Sequence, residues 1–311
     1  MNNLKKITII GSSNIDMVAQ VQHLPKPGET IGNATFMQTF GGKGANQAIA
    51  AARLGGNVTF VTSLGNDMYA TLLTEHFKNN NIDTRYIQYS PNTSTGTALI
   101  FVADDAENCI AVAPGANAEL TNEKIQSFET AITSTSIVIM QAEIPYKTIK
   151  EIALLAHKKG VKVMVNPAPA IPIDLDFMKS IDILVVNETE AETVSGLNIK
   201  KDGIQKISQA LSSKGPQCVV ITLGSKGVYC TYNQQEYTVD SFKVNAIDTT
   251  AAGDTFCGAL AIALTEYEMS IKALQYASAA AAISVTRMGA QPSIPYHEEV
   301  IKFLKERNIN L

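Results

Sequence analysis

The sequence predicts an α/β protein: a central, mostly parallel sheet covered by helices on both faces, with a small β-sheet attached. Three observations support this. Short runs rich in Val and Ile recur at Ile7–Ile10, Val58–Thr62, Ile137–Met140, Val161–Val165, Ile183–Val186 and Val219–Thr222, bounded by Gly, Pro or Asn. Amphipathic stretches such as Tyr146–Lys159 and Ile204–Lys214 separate several of them. Strands joined by helices of this length pair in parallel through βαβ crossovers. Finally, 311 residues at 45% hydrophobic content suffice for one large core, so residues 1–311 are expected to form a single domain.

Two regions break the βα rhythm. From Asn14 to Gln22 the chain alternates, with Asn14, Asp16, Val18, Gln20 and Gln22 on one face and Ile15, Met17, Ala19 and Val21 on the other. Thr97–Val102 and Cys109–Ala113 flank the polar turn Ala103–Asn108 and read as a β-hairpin. Together, roughly residues 14–40 and 96–113 are expected to build a lid with one face over a ligand. The other face must be buried, and a second copy of the chain is expected to cover it as a homodimer. Near the C-terminus, Ser270–Arg287 is dense in alanine (Ala273, Ala277, Ala279–Ala282) and favours a closely packed helix.

Composition excludes several classes. Net charge is −4 with no basic run, so neither nucleic acid nor an anionic membrane is an expected partner. The N-terminal apolar run Ile7–Ile10 ends at Gly11, too short for a secretory or spanning segment, so a cytoplasmic chain is expected. Cys109, Cys218, Cys230 and Cys257 form no C-x-x-C pair and read as buried, reduced thiols. The four histidines lack metal-ligand spacing.

Four glycine- or amide-containing motifs carry the chemistry. Gly41-Gly42-Lys43-Gly44-Ala45-Asn46 precedes an alanine-rich helix. It fails the P-loop pattern because Gly44, not Ser or Thr, follows Lys43, and it fails the dinucleotide fingerprint on spacing. It reads either as a tight turn or as a donor set for hydroxyls or phosphate. Asp248-Thr249-Thr250-Ala251-Ala252-Gly253-Asp254 places a turn at a helix start, where free N–H groups attract an anion. A carboxylate there repels phosphate, so Asp254 reads either as a helix cap or as the base for an attacking hydroxyl. Asn187-Glu188-Thr189-Glu190 follows a strand and reads as a helix N-cap or as a group orienting hydrated magnesium. Thr222-Leu223-Gly224-Ser225-Lys226-Gly227 lies between strands and reads as a hairpin turn or a loop under a nucleotide.

Taken in order, these motifs resemble the ribokinase-like carbohydrate kinase family. The resemblance spans nearly the whole chain. It also includes Gly11–Asp16, Gln47, Asn166-Pro167-Ala168-Pro169-Ala170 and Thr286–Ser293. It implies a ribokinase-like fold and ATP-dependent phosphorylation of D-ribose at O5. Another furanose such as deoxyribose, a nucleoside, or a silent sugar sensor are the alternatives. By the same resemblance Asn14, Asp16, Gly42, Lys43, Asn46 and Glu143 hold the sugar. Asp254 takes the hydroxyl proton, and the Ala251–Ala252–Gly253–Asp254 backbone stabilises the transferring phosphoryl group. Asn187, Thr222, Gly224, Ser225, Gly227, Gly253 and Ser278 line the ATP site, with Glu190 on Mg2+ through water. A monovalent cation, K+, is implied at Asp248, Thr250, Ser284, Arg287, Gly289 and Ser293, with Arg287 and Gly289 acting through carbonyls. Ala251 stands where many members carry glycine, which suits a negative φ here.

Overall fold

The computed structural model describes residues 6–105 and 107–310. Met1–Lys5 of the N-terminal segment, Ala106 of the expected hairpin turn and Leu311 lie outside the described residues. In chain order the strands are β1 (Lys6–Ile10), β2 (Asn14–Val21), β3 (Thr35–Gly41), β4 (Asn57–Val61), β5 (Ser63–Gly65), β6 (Gln88–Ser90), β7 (Gly96–Ala103), β8 (Asn108–Ala113), β9 (Ile137–Gln141), β10 (Lys162–Asn166), β11 (Ile183–Asn187), β12 (Cys218–Thr222), β13 (Val228–Tyr232) and β14 (Gln235–Val239).

The main sheet runs β14-β13-β12-β11-β10-β9-β1-β4. All pairings from β4 to β12 are parallel; β13 and β14 close one edge as an antiparallel meander. The apolar runs are continuous because both faces of each strand are buried. In β1, Ile7 and Ile9 join one core layer with Ile49, Leu260 and Leu274, while Ile10 joins the other with Ile149 and Ile152. Thr8, the polar break in that run, donates its hydroxyl to the Ala131 carbonyl at 2.8 Å, so its burial leaves no unpaired group. At the carboxyl ends of the parallel strands stand Gln141, Asn166, Asn187 and Thr222. Open α/β sheets bind ligands along this edge.

The small sheet runs β3-β2-β7-β8, with β2 parallel to β7 and antiparallel to β3. β3 and the short β5–β6 pair are strands that the sequence reading did not include. Ile15, at the root of β2, is fully buried in the main core. β8 is exposed along its whole length. This corrects the expectation for one thiol: Cys109 is exposed because β8 is an outer strand, while Cys218, Cys230 and Cys257 are buried. The alanine-rich helix spans Ile271–Ser284, three residues short of the expected Arg287. Among the described residues no helix is long and apolar enough to cross a membrane.

Candidate active site

The first glycine loop opens the helix Lys43–Arg53, whose N-cap is Gly42 at φ 89°. A Cβ there would lie 2.8 Å from the Asn14 nitrogen and from Ser13 Cα, so both conformation and space demand glycine. The Lys43 N–H donates to Glu143 Oε2 at 3.0 Å, and Ser12 Oγ donates to the same oxygen at 2.5 Å. Glu143, which follows β9 and was expected on the sugar, is thereby fastened to the first glycine loop.

The second loop opens the helix Ala252–Glu266 from Ala251, at φ 58° and ψ 10°. The expectation of a negative φ at Ala251 is overturned. The chain must reverse sharply into the helix, and the turn is held by Ala252 N–H on the Thr249 carbonyl (3.2 Å) and Thr255 N–H on the Ala251 carbonyl (2.8 Å). The Ala252 amide is therefore engaged inward. Gly253 and Asp254 lie in the first turn, where no helical carbonyl precedes them. Gly253 is exposed, and a Cβ on it would meet nothing within 4 Å. Intramolecular packing does not require glycine at this position; close approach of a ligand would.

Asp254 is 6% exposed. The capping alternative does not describe it, since no side chain caps this helix. Instead Asn46 Nδ2 donates to Oδ2 at 2.9 Å and Gln47 Nε2 donates to Oδ1 at 3.0 Å. Both amides are themselves oriented. Gln291 Nε2 donates to Asn46 Oδ1 (3.1 Å), and Gln141 Nε2 donates to Gln47 Oε1 (2.7 Å). Gln47 Nε2 also reaches Asn166 Oδ1 (3.3 Å), whose Nδ2 donates to the Val185 carbonyl (3.0 Å) and Glu190 Oε2 (3.4 Å). Asn46, expected on the sugar, thus spends one donor and one acceptor inside the protein. Gln47, Gln141, Asn166 and Gln291 had no assigned role from sequence. The available signal was an amide closing each of β9 and β10, at the ligand edge of the sheet.

The carboxylates near this point act on one another. Burial, then Glu143 and Asp254, pushes Asp16 up to about 7. Asp254 holds the Lys43 ammonium above the usual lysine range, against burial and with help from Glu143 and Glu190. The lysine is thus the local counter-charge for an acidic cluster.

On the neighbouring strand ends, Asn187 and Glu190 form a reciprocal capping box. Asn187 Oδ1 accepts from Glu190 N–H (2.8 Å), and Glu190 Oε2 accepts from Asn187 N–H (2.9 Å). Burial raises the Glu190 carboxyl despite these bonds. Thr222 ends β12, and Gly224–Lys226 forms a 3-10 turn closed by Leu223 N–H on the Gly227 carbonyl (2.8 Å). Ser225 offers its carbonyl to Ser241 Oγ. Ser278 is buried, and its Oγ has no hydrogen-bond partner among the described residues.

Of the residues expected around a monovalent cation, hydrogen bonds join Asp248, Thr250 and Gly289. Asp248 Oδ1 accepts from Thr250 N–H (2.9 Å) and Oγ1 (2.6 Å), and Oδ2 accepts from Gly289 N–H (2.8 Å). Burial raises the Asp248 carboxyl, but these bonds together bring it below the usual range. Ser284 and Ser293 are fully buried. The Arg287 guanidinium, which carries no oxygen, is turned onto Glu299, so Arg287 could offer a cation only its backbone carbonyl. The set is all oxygen, which fits a hard cation.

A family model described as "pfkB family carbohydrate kinase" matches residues 4–296. Ribokinase from Haemophilus influenzae is 41% identical over 302 residues, covering 97% of this chain and 99% of that protein. Deoxyribokinase from Salmonella typhi is 35% identical over 300 residues, covering 96% and 98%. The structure of Arabidopsis thaliana ribokinase complexed with ribose and ATP aligns at a TM-score of 0.88 and 32% identity, covering 97% of this chain and 99% of that one.

Proposed function

The chain belongs to the pfkB family of carbohydrate kinases, and we propose that it transfers the γ-phosphoryl group of ATP to O5 of D-ribose, giving D-ribose 5-phosphate and ADP. The observation that carries this reading is Asp254: a buried carboxylate gripped on both oxygens by amides, in the first turn of a helix. Each of its oxygens keeps a lone pair for a proton. It accepts the O5 proton as O5 bonds to the γ-phosphorus and the bond to the bridging oxygen of ADP breaks. The Ala251–Asp254 turn stabilises the charge on the moving group, chiefly through the first-turn Gly253 and Asp254 amides, which no helical carbonyl precedes.

Asn14, Asp16, Gly42, Lys43 and Glu143 hold the sugar in this reading, with Asn46 serving both sugar and base. Asn187, Thr222, Gly224, Ser225, Gly227, Gly253 and Ser278 line the nucleotide; the unpartnered Ser278 Oγ supports a ligand bond there. Glu190 would hold hydrated Mg2+, which would supply charge neutralisation on the phosphates. Asp248, Thr250, Ser284, Arg287, Gly289 and Ser293 would hold K+, which would supply a fixed positive charge to this region of the site. The small sheet acts as a lid over the sugar and excludes water. ATP as co-substrate supports a cytoplasmic location.

The lid also supports a homodimer. Strand register sets Phe36, Leu99 and Phe101 on the face of Met17 and Ala19, opposite that of Asp16. Phe36 and Leu99 are 63% and 49% exposed, an apolar surface on the lid face turned away from the sugar and suited to a second copy. Light scattering that finds a monomer at working concentration removes this assignment.

An ADP-release assay over ribose, deoxyribose, fructose and adenosine tests the substrate. The likeness to deoxyribokinase favours deoxyribose as the second reading. Ribose should show the highest kcat/KM; a higher value for deoxyribose or adenosine replaces the substrate, and no ADP release with any sugar leaves a sensor. The same assay in potassium, sodium and choline buffers tests the cation, and equal rates in all three remove it.

A further inference from the structure

Asn117 belongs to none of the motifs read from the sequence. It sits in the 3-10 turn Gly115–Glu119 that follows β8, and it is 2% exposed. Its side chain makes three bonds at one place. Oδ1 accepts from Ser13 N–H at 2.9 Å, while Nδ2 donates to the Ser13 carbonyl at 3.1 Å and to Asn14 Oδ1 at 2.8 Å. Ser13 lies where β1 hands over to β2. A Cβ on Gly96, the first residue of β7, would come within 2.2 Å of Asn117 Nδ2 and 2.3 Å of Asn14 Oδ1. The entry to β2, the entry to β7 and the exit from β8 therefore meet at one buried amide.

An amide side chain presents a donor at one end and an acceptor at the other. Ser13 N–H requires the oxygen of Asn117, which commits Asn117 Nδ2 to Asn14. Asn14 must then turn its oxygen to Asn117 and keep its Nδ2 for other partners. We propose that Asn117 is a positioning residue for sugar binding: by claiming Asn14 Oδ1 it makes Asn14 a hydrogen-bond donor toward a sugar hydroxyl. The inference rests on the reading of Asn14 as a sugar ligand.

The test compares Asn117→Asp, Asn117→Ser and Asn14→Ala, with the Asn117 substitutions also placed in the Asn14→Ala background. Asn117→Asp keeps the volume and the acceptor for Ser13 N–H but sets oxygen against oxygen at Asn14. Asn117→Ser removes the bond without burying a charge, and carries the comparison if the aspartate variant does not fold. Ribose Kd by calorimetry, KM and kcat for both substrates, and Tm are measured. The expected result is a ribose Kd and KM raised roughly tenfold, as for one lost buried hydrogen bond. Both kcat and the KM for ATP should stay within about twofold, the pattern of lost uniform binding. In the Asn14→Ala background the same substitutions should change ribose Kd by less than about twofold. An equal loss in that background, or parallel rises in both KM values, overturns the proposal in favour of a structural role. Unchanged ribose affinity in Asn14→Ala removes the sugar-ligand reading and the inference with it. Weakened ribose binding in Asn14→Ala with normal binding in both Asn117 variants overturns the inference alone.

Discussion

Gln47 donates to Asp254 at 3.0 Å across 207 positions of sequence. That bond joins the two glycine loops directly, since Gln47 sits on the helix opened by Gly42 and Asp254 on the helix opened by Ala251. With Asn46 on the other oxygen, the carboxylate is aimed by two amides that are each held in turn.

Removing the base itself should leave binding intact. Asp254→Asn keeps the size of the side chain but not its proton affinity. Since a positioned base contributes roughly 10²–10⁴ in rate, kcat should fall by about that factor while ribose binding stays measurable by calorimetry. A kcat within a few-fold of the parent would show that another group takes the proton.

Loosening the base should cost less. Gln47→Leu removes one donor from Asp254, strips Gln141 Nε2 of its acceptor and strips Asn166 Oδ1 of its donor. A buried donor or acceptor stripped of its partner costs about 1–3 kcal/mol, so Tm should drop. In stopped-assay kinetics kcat should fall roughly tenfold, less than the ~10²-fold that a full 1 Å misplacement can cost. Unaltered kcat with a lowered Tm would assign Gln47 to folding only.

On the proposed reading of Asp16 as a sugar ligand, sugar binding should depend on pH. Its carboxyl lies at about 7 in the fold against an ordinary 3.8. Between those values the folded chain holds a proton that the unfolded chain has released. Its contribution to stability is therefore full below the lower value and is lost as pH rises through the upper one. Sugar binding runs the other way, because two donating hydroxyls require the carboxylate. Ribose affinity should be about tenfold weaker at pH 6 than at pH 8, with roughly one proton released per sugar bound at pH 6 and almost none at pH 8. Calorimetry in buffers of different ionisation heat measures that proton. A flat affinity profile for the parent chain, or the same slope in Asp16→Asn, contradicts the assignment.

Ala251 tests the backbone. An L-residue in the left-handed region costs roughly 1–2 kcal/mol, and glycine there regains about 0.4–1 kcal/mol less than that through its freer unfolded chain. Ala251→Gly should match or slightly exceed the parent Tm, whereas the β-branched Ala251→Val should fall below it. A valine variant as stable as the parent means that the turn does not need φ near 58°.

The parallel sheet was legible because each of its strands is buried on both faces, and short continuous Val/Ile runs between amphipathic helices rarely fold as anything but buried strands. β3 was less legible: Thr35–Gly41 is largely exposed and carries no clean period. Cys109 misled for the same reason, sitting in an apolar run whose strand faces outward. At the site, Asp254 could be singled out as a carboxylate where an anion belongs. Its choice between cap and base could not be made, because both readings use the same residue at the same helix position.

The sequence by itself determined the α/β class, the order of the strands' motifs and the cluster of loops that carries chemistry, since these follow from local period and residue type. Tertiary structure alone decided what Asp254 touches, which way Ala251 turns, and that Asn117 holds Asn14. Hydrogen bonds between residues 103 to 208 positions apart leave no local trace. They exist only once the sheet has brought its strand ends together.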